Sequence, residues 1–221
     1  MGWPDRVVFG SGHLSQIASG LACAGLAIGL VWPSPPTRAE PPKAPTAVEL
    51  MDDLMWGRGS IGGPFDLIDH MGRRRTDADF RGRLLLVYFG YMFCPDICPT
   101  DLQAIAAAID DLGSAGADVQ PLFITIDPER DTPEELAQYV GSFHPRLIGL
   151  TGSAEEIRRV ALGYKVWYAK ADDQRMASYL MDHSAFIYLI DVNGAYVGFF
   201  PPGSPPERLV KVIAPMLSRS P

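Results

Sequence analysis

LLLVYFGYMFCPDICPT, residues 84–100, begins as a strand and ends as the start of a helix. Leu84 to Gly90 is an unbroken apolar run, the pattern of a strand buried on both faces. Pro99 suits the first helical position, which puts Cys98 near the helix cap. Unpaired backbone N–H groups and the helix dipole favour a thiolate there. Leu102, Ile105, Ala106, Ile109 and Leu112 then follow at helical spacing up to Gly113. In open α/β sheets, sites collect beyond the carboxyl ends of strands, which is where Cys94 and Cys98 fall.

Working outward, Val119–Ile126 reads as the next strand. Thr132, with Pro133 and two glutamates behind it, opens a helix. Leu147–Leu150 is a short strand, and Ser153-Ala154-Glu155-Glu156 is a capping box for another helix. Ala185–Ile190 and Tyr196–Phe200 are joined by Asp191-Val192-Asn193-Gly194, a hairpin signal. The last helix, about Pro205–Ala214, ends against Pro215. Upstream, Phe65–Asp69 and Arg73–Thr76 flank a His70-Met71-Gly72 turn and predict an N-terminal hairpin. Alternating strands and helices imply an α/β domain whose central sheet is covered on both faces. The closing hairpin makes that sheet mixed.

The 221 residues divide into three expected regions: 1–32, a signal peptide or membrane anchor; 33–60, a Pro-rich linker; and 61–221, one domain. Ile17–Trp32 is sixteen residues without a charge, between the length of a signal peptide and that of a short spanning helix. Six prolines in the thirteen residues from Pro33 to Pro45 form a semi-extended spacer. This arrangement places the domain outside the cytoplasm, at a bacterial inner membrane facing the periplasm, or free in the periplasm after cleavage. At 47% hydrophobic residues the domain has material for a proper core. A net charge of −7 argues against a nucleic-acid binder and suits a basic partner or a cationic cargo.

The three cysteines differ in setting. Cys23 lies inside the apolar segment as a passive small residue, with lipidation as the alternative. Cys94 and Cys98 are four apart, about 6 Å between Cα atoms if helical, which permits a disulfide, a redox couple or a soft-metal site. Two thiolates suit Cu(I), and an added imidazole admits Cu(II) or zinc. Of the four histidines, His13 precedes the apolar segment, while His70 and His144 sit beside turns and read as surface residues. His183, just before the buried run Ala185–Ile190, reads either as a structural histidine or as the third ligand.

From about Gly62 to the C-terminal helix the chain resembles the Sco/SenC copper chaperones of cytochrome c oxidase assembly. The resemblance is carried by Tyr88-Phe89-Gly90-Tyr91, the block Cys94–Thr100, Ile124–Pro133, Gly149-Leu150-Thr151-Gly152 and Asp182-His183-Ser184. It implies a thioredoxin-like fold with copper, as Cu(I), Cu(II) or both, held by Cys94, Cys98 and His183. It implies an N-terminal anchor that holds the domain to the membrane, while the spacing of Cys94 and Cys98 supports two states, reduced thiolates and a closed redox disulfide. The implied task is loading the binuclear copper centre of cytochrome c oxidase subunit II, with other copper chaperones or thioredoxin-like reductases as further partners. Met92, Ser178 and Leu180-Met181 depart from the usual family residues without removing a ligand. Met92 is either an extra thioether ligand or a packing residue. The charged run Asp127–Asp131 either contacts the partner or its copper site, or caps the helix that opens at Pro133.

The rival reading is a thiol–disulfide oxidoreductase that keeps the subunit II cysteines reduced. Such enzymes use Cys-x-x-Cys, whereas three residues separate the cysteines here and no proline precedes the strand after His183. The peroxiredoxin pattern Pro-x-x-x-Thr-x-x-Cys is absent at both cysteines. A structural zinc site would need a fourth ligand.

Overall fold

The computed structural model describes residues 44–57, 59–171 and 179–217. The apolar N-terminal segment with His13 and Cys23, the prolines at 33–42, and Ser178 lie outside those residues. Among the described residues no helix is long and apolar enough to cross a membrane.

Within the stretch read as linker, Ala47–Met55 forms a helix, α1. The Thr46 hydroxyl accepts from the Glu49 N–H, and the Glu49 carboxylate accepts from the Thr46 N–H. This reciprocal cap starts a helix directly after the prolines. Leu50 and Leu54, one turn apart, are both buried, and Asp53 pairs with Lys165 at 3.2 Å. The helix clusters with the rest of the domain in one unit, residues 43–221.

Seven strands form a mixed sheet in the order β2-β1-β5-β4-β3-β8-β9. They are β1 (Asp66–Asp69), β2 (Arg74–Thr76), β3 (Leu84–Gly90), β4 (Val119–Thr125), β5 (Ile148–Thr151), β8 (Ile187–Ile190) and β9 (Tyr196–Phe200). β3, β4 and β5 run parallel, and the hairpins β1–β2 and β8–β9 join them antiparallel. Every residue of β3 and β4 is buried, as the continuous apolar run of β3 requires. The pleat sends Tyr88 and Phe123 to one face, where Phe123 meets Tyr139 of α3 (Pro133–Gly141). Phe89 points to the other face and meets Tyr164 at the end of α4 (Ala154–Gly163). α2 (Ile97–Asp111) packs beside α5 (Pro206–Leu217). The unit β3-α2-β4, followed by β8-β9-α5 on the other side of β3, is the thioredoxin-like arrangement that the resemblance implies.

Three details differ from the sequence reading. α2 begins at Ile97 with Asp96 at its cap, so Cys98 is the second helical residue and Pro99 the third. Pro99 remains harmless, because first-turn N–H groups have no intrahelical acceptor. α5 runs past Pro215 to Leu217, since a proline so near the end forfeits little of the hydrogen-bond ladder. A second, two-stranded sheet pairs β6 (Tyr168–Ala171) with β7 (Leu180–His183), with Tyr168 opposite His183. Four-residue strands that mix Lys, Asp and aromatics show no clean alternation, so this ribbon is silent in the sequence.

The expected N-terminal hairpin turns on Asp69, whose side chain is 1% exposed. Its carboxylate accepts from the backbone N–H groups of Met71 and Arg73 and from both arginine side chains, Arg73 and Arg75. Burial pushes the Asp69 carboxyl up, but these donors outweigh it and hold the group at about 2. A depressed folded-state value contributes stability above the unfolded carboxyl range that disappears as pH falls through the folded value. Acid unfolding of the wild type is therefore expected to draw on Asp69 between about pH 4 and pH 2. In Asp69→Asn that pH dependence should flatten, with a loss of about 1–2 kcal/mol at neutral pH, because the arginine partners face solvent. Urea unfolding at pH 7 and pH 3 checks this; an equal loss for the variant at both would refute it.

Candidate metal centre

The site forms where β3 ends and α2 begins. After Gly90 the chain leaves the sheet, and the Cys94 N–H donates to the Tyr91 carbonyl at 3.2 Å. Cys94 is half-buried on this turn. Cys98, inside the first turn of α2, is fully buried against the strand. Gly90 makes that possible: a Cβ there would lie 2.8 Å from Cys98 Sγ, 3.0 Å from Phe123 Cε2 and 3.1 Å from Tyr88 Cε1. The sequence reading placed Gly90 in the strand but missed this role, for which a glycine at a strand's C-terminal end was the available signal.

The third group arrives from the ribbon. His183, the last residue of β7, brings Nε2 to 3.5 Å from Cys98 Sγ. With its proton on Nδ1, the ring donates to the Ser184 carbonyl at 3.2 Å and presents Nε2 to the sulfurs. Tyr91 meets the imidazole edge-on, 5.9 Å between centroids. The two sulfurs and a ring nitrogen all lie within 4.8 Å of one another. Two donors each about 2.3 Å from one ion are at most about 4.6 Å apart, so the donor set fits a single soft or borderline metal with little movement. The cysteines are free thiols.

The two thiols behave oppositely. The hydrogen bond from Cys98, with His183 and the N–H groups of Asp96 and Cys98, holds the Cys94 thiol far below its ordinary range against the effect of burial. The same contact with Cys94, together with burial, pushes Cys98 up. In the reduced pair negative charge is therefore favoured on the accessible sulfur over the buried one. Beneath Cys98 lies the buried Tyr88 ring, and beyond it Asp101, whose carboxylate accepts from the Gly203 N–H at 2.8 Å. Burial pushes the Asp101 carboxyl up.

The charged run 127–131 proves to be structural glue around the site. Asp131 is fully buried, accepts from the Thr125 hydroxyl and from the Met92 N–H at 3.2 Å, and is pushed up to about 6 by burial. Thr132, not Asp131 or Arg130, caps α3. Arg130 instead reaches over Tyr179, Phe93 and Tyr91. Met92 packs against the core. The remaining described histidines correct the surface reading. His144 is buried, with Nδ1 accepting from the Arg146 N–H, and His70 accepts from the Gly149 N–H, each at 3.1 Å. Both serve turns, where a ring nitrogen satisfies a strand-entry N–H.

Gly90→Ala should lower stability by about 1–3 kcal/mol, because its Cβ meets a helix and a strand that cannot both retreat. The same variant should make Cys98 more reactive toward a thiol reagent, as its sulfur is pushed from its slot. Unfolding and alkylation rates read the two effects; a variant of wild-type stability would rule out the tight contact.

Comparison with known proteins matches this geometry to a family. The family profile described as SCO1/SenC matches residues 55–218. "Protein sco1" of Schizosaccharomyces pombe is 46% identical over 160 residues, which is 71% of this chain and 61% of that protein. The match to a human relative covers 48% of its length, so the chain spans roughly half to three-fifths of these relatives. Among solved structures, Arabidopsis thaliana ScoI with copper bound is 42% identical, with TM-score 0.69 over 73% of this chain and 100% of that one. Bradyrhizobium japonicum ScoI with copper bound is 39% identical, with TM-score 0.66 over 71% and 99%. With the profile extending over most of the length and the fold shared, the chain belongs to the SCO1/SenC family.

Proposed function

We propose that this chain carries copper and delivers it to the binuclear copper centre of cytochrome c oxidase subunit II. The observation behind this reading is the convergence of Cys94 Sγ, Cys98 Sγ and a His183 ring nitrogen within 4.8 Å of one another. Two sulfurs favour Cu(I), and the imidazole extends the site to Cu(II). Similar proteins from Arabidopsis and Bradyrhizobium were solved with copper bound. An N-terminal segment at Ile17–Trp32 would hold the domain against the outer face of a bacterial inner membrane, within reach of an envelope oxidase.

Release proceeds by ligand exchange. His183 leaves first, being one neutral donor at the end of a two-stranded ribbon. Cys94, half-buried, yields next to an incoming thiolate or imidazole, and fully buried Cys98 lets go last. The acceptor thus gains ligands while copper is never free.

A second reading rests on the Cys94 thiolate and its buried neighbour. Cys94 would attack a disulfide of subunit II, forming a mixed disulfide and expelling one thiolate. Cys98 would then attack Cys94 Sγ, release the second subunit thiol and leave a Cys94–Cys98 disulfide, to be reduced by an external dithiol. The same two sulfurs serve both roles in their reduced form, binding metal in one and giving up two electrons in the other.

His183→Ala should retain Cu(I) within about tenfold but lose Cu(II) affinity by about 100-fold or more. Competition titration with the full chain measures both, and an unchanged Cu(II) affinity would refute the ligand assignment. Cys94→Ser and Cys98→Ser should each lose Cu(I). For the second reading, metal-free Cys98→Ser should trap a mixed disulfide at Cys94 with an oxidised subunit II peptide; no adduct would discard the reductase role.

A further inference from the structure

We infer that Arg130 is a positioning residue that docks the β6–β7 ribbon onto the cysteine loop and so brings His183 to the sulfurs; the inference rests on the three-ligand reading above. The ribbon needs such a device. A two-stranded sheet has little stability of its own in water, and β6–β7 is not hydrogen-bonded into the main sheet. His183 closes it, so the imidazole is only as well placed as the ribbon is docked.

Arg130 stands at the junction. Its side chain is 17% exposed, and its guanidinium lies 3.7 Å from the Tyr179 ring centroid, one residue before β7. The same group lies 4.7 Å from the centroid of Phe93, next to Cys94, and 5.9 Å from that of Tyr91. Nη1 donates to the Tyr179 carbonyl at 3.0 Å, and Nε donates to Asp127. The Tyr179 hydroxyl returns to the other Asp127 oxygen at 2.7 Å. Arginine, carboxylate and tyrosine thus close a ring across the gap, with the aromatic of the cysteine loop stacked on the same cation. The cysteine loop is tied to this run independently, through the Met92 N–H on Asp131. On the outer edge, Lys170 of β6 pairs with Glu129 at 2.7 Å, but this pair is solvent-exposed and contributes little. The half-buried, forked and stacked contact of Arg130 is the stronger of these two attachments.

Losing Arg130 would leave both thiols in place and free the imidazole. Lysine cannot reproduce the fork, since one ammonium cannot serve Asp127 and the Tyr179 carbonyl in the same planar geometry. The cysteine turn loses the stacking on Phe93 but keeps its own tie through the Met92 N–H on Asp131, so the larger effect falls on the arm.

The test compares the full chain with Arg130→Ala, Arg130→Lys and the milder Tyr179→Phe, each first shown to unfold cooperatively. In the metal-free protein, amide exchange at Leu180–His183 should be roughly tenfold faster in Arg130→Ala, with Arg130→Lys and Tyr179→Phe intermediate. Amides of β3 and β4 should keep their wild-type rates. With metal, Cu(II) affinity should fall by about tenfold or more in Arg130→Ala and Cu(I) affinity by less than about threefold. Unchanged exchange in β7 would overturn the inference, as would equal losses of Cu(I) and Cu(II). Should the wild type bind no copper, the three-ligand reading fails, and the metal-free exchange alone still decides whether Arg130 docks the ribbon.

Discussion

A sulfur packed against a bare Cα holds this site together. Cys98 occupies the volume that any side chain at residue 90 would take, between Tyr88 and Phe123. That contact sets how closely α2 approaches β3, and with it the position of the helix N-terminus. The helix start then dictates the rest: its free N–H groups face Cys94, and the accessible sulfur becomes the thiolate. Cys98, in the dry layer, is pushed toward its neutral form by the contact with Cys94 and by burial. The division of labour between two chemically identical residues follows from their mutual hydrogen bond, the donors around Cys94 and the burial of Cys98.

The second half of the site is built on different terms. The cysteines stand where the fully buried strand β3 passes into α2, whereas His183 stands on a ribbon outside the main sheet. A rigid pair of soft donors joined to a less firmly held nitrogen suits a carrier. In the copper-carrying role proposed above, two ligands would hold the ion and the third would control its exposure. The polar run 127–131 is the hinge between these halves. Asp131 reaches the cysteine loop, Arg130 reaches the ribbon, and Asp127 braces Arg130. The buried carboxylates of Asp127 and Asp131 offset their desolvation through these contacts.

Most of the main sheet was legible because its signals are local. An apolar run such as 84–90 has one comfortable environment, and caps such as Thr132 and Ser153 mark helix starts regardless of context. The misreadings share a cause. α1 was hidden because prolines at 33–45 coloured the composition of a window whose cap and two leucines begin only at residue 46. The β6–β7 ribbon was hidden because its residues are patterned by contacts with Arg130, Tyr91 and Glu129 rather than by a core on one side. His144 and His70 were misplaced because their ring nitrogens answer backbone N–H groups distant in the chain or created by the turn itself.

By itself the sequence determined the mixed α/β architecture, the cysteine pair at a strand–helix junction, and the family to which that pair belongs. These depend on short-range patterning, which a chain carries wherever it goes. Only the tertiary structure decided which cysteine is the thiolate, why residue 90 must be glycine, and how residue 183 reaches a sulfur 85 positions away. Burial and distance between remote segments set those properties, and neither exists until the chain has folded.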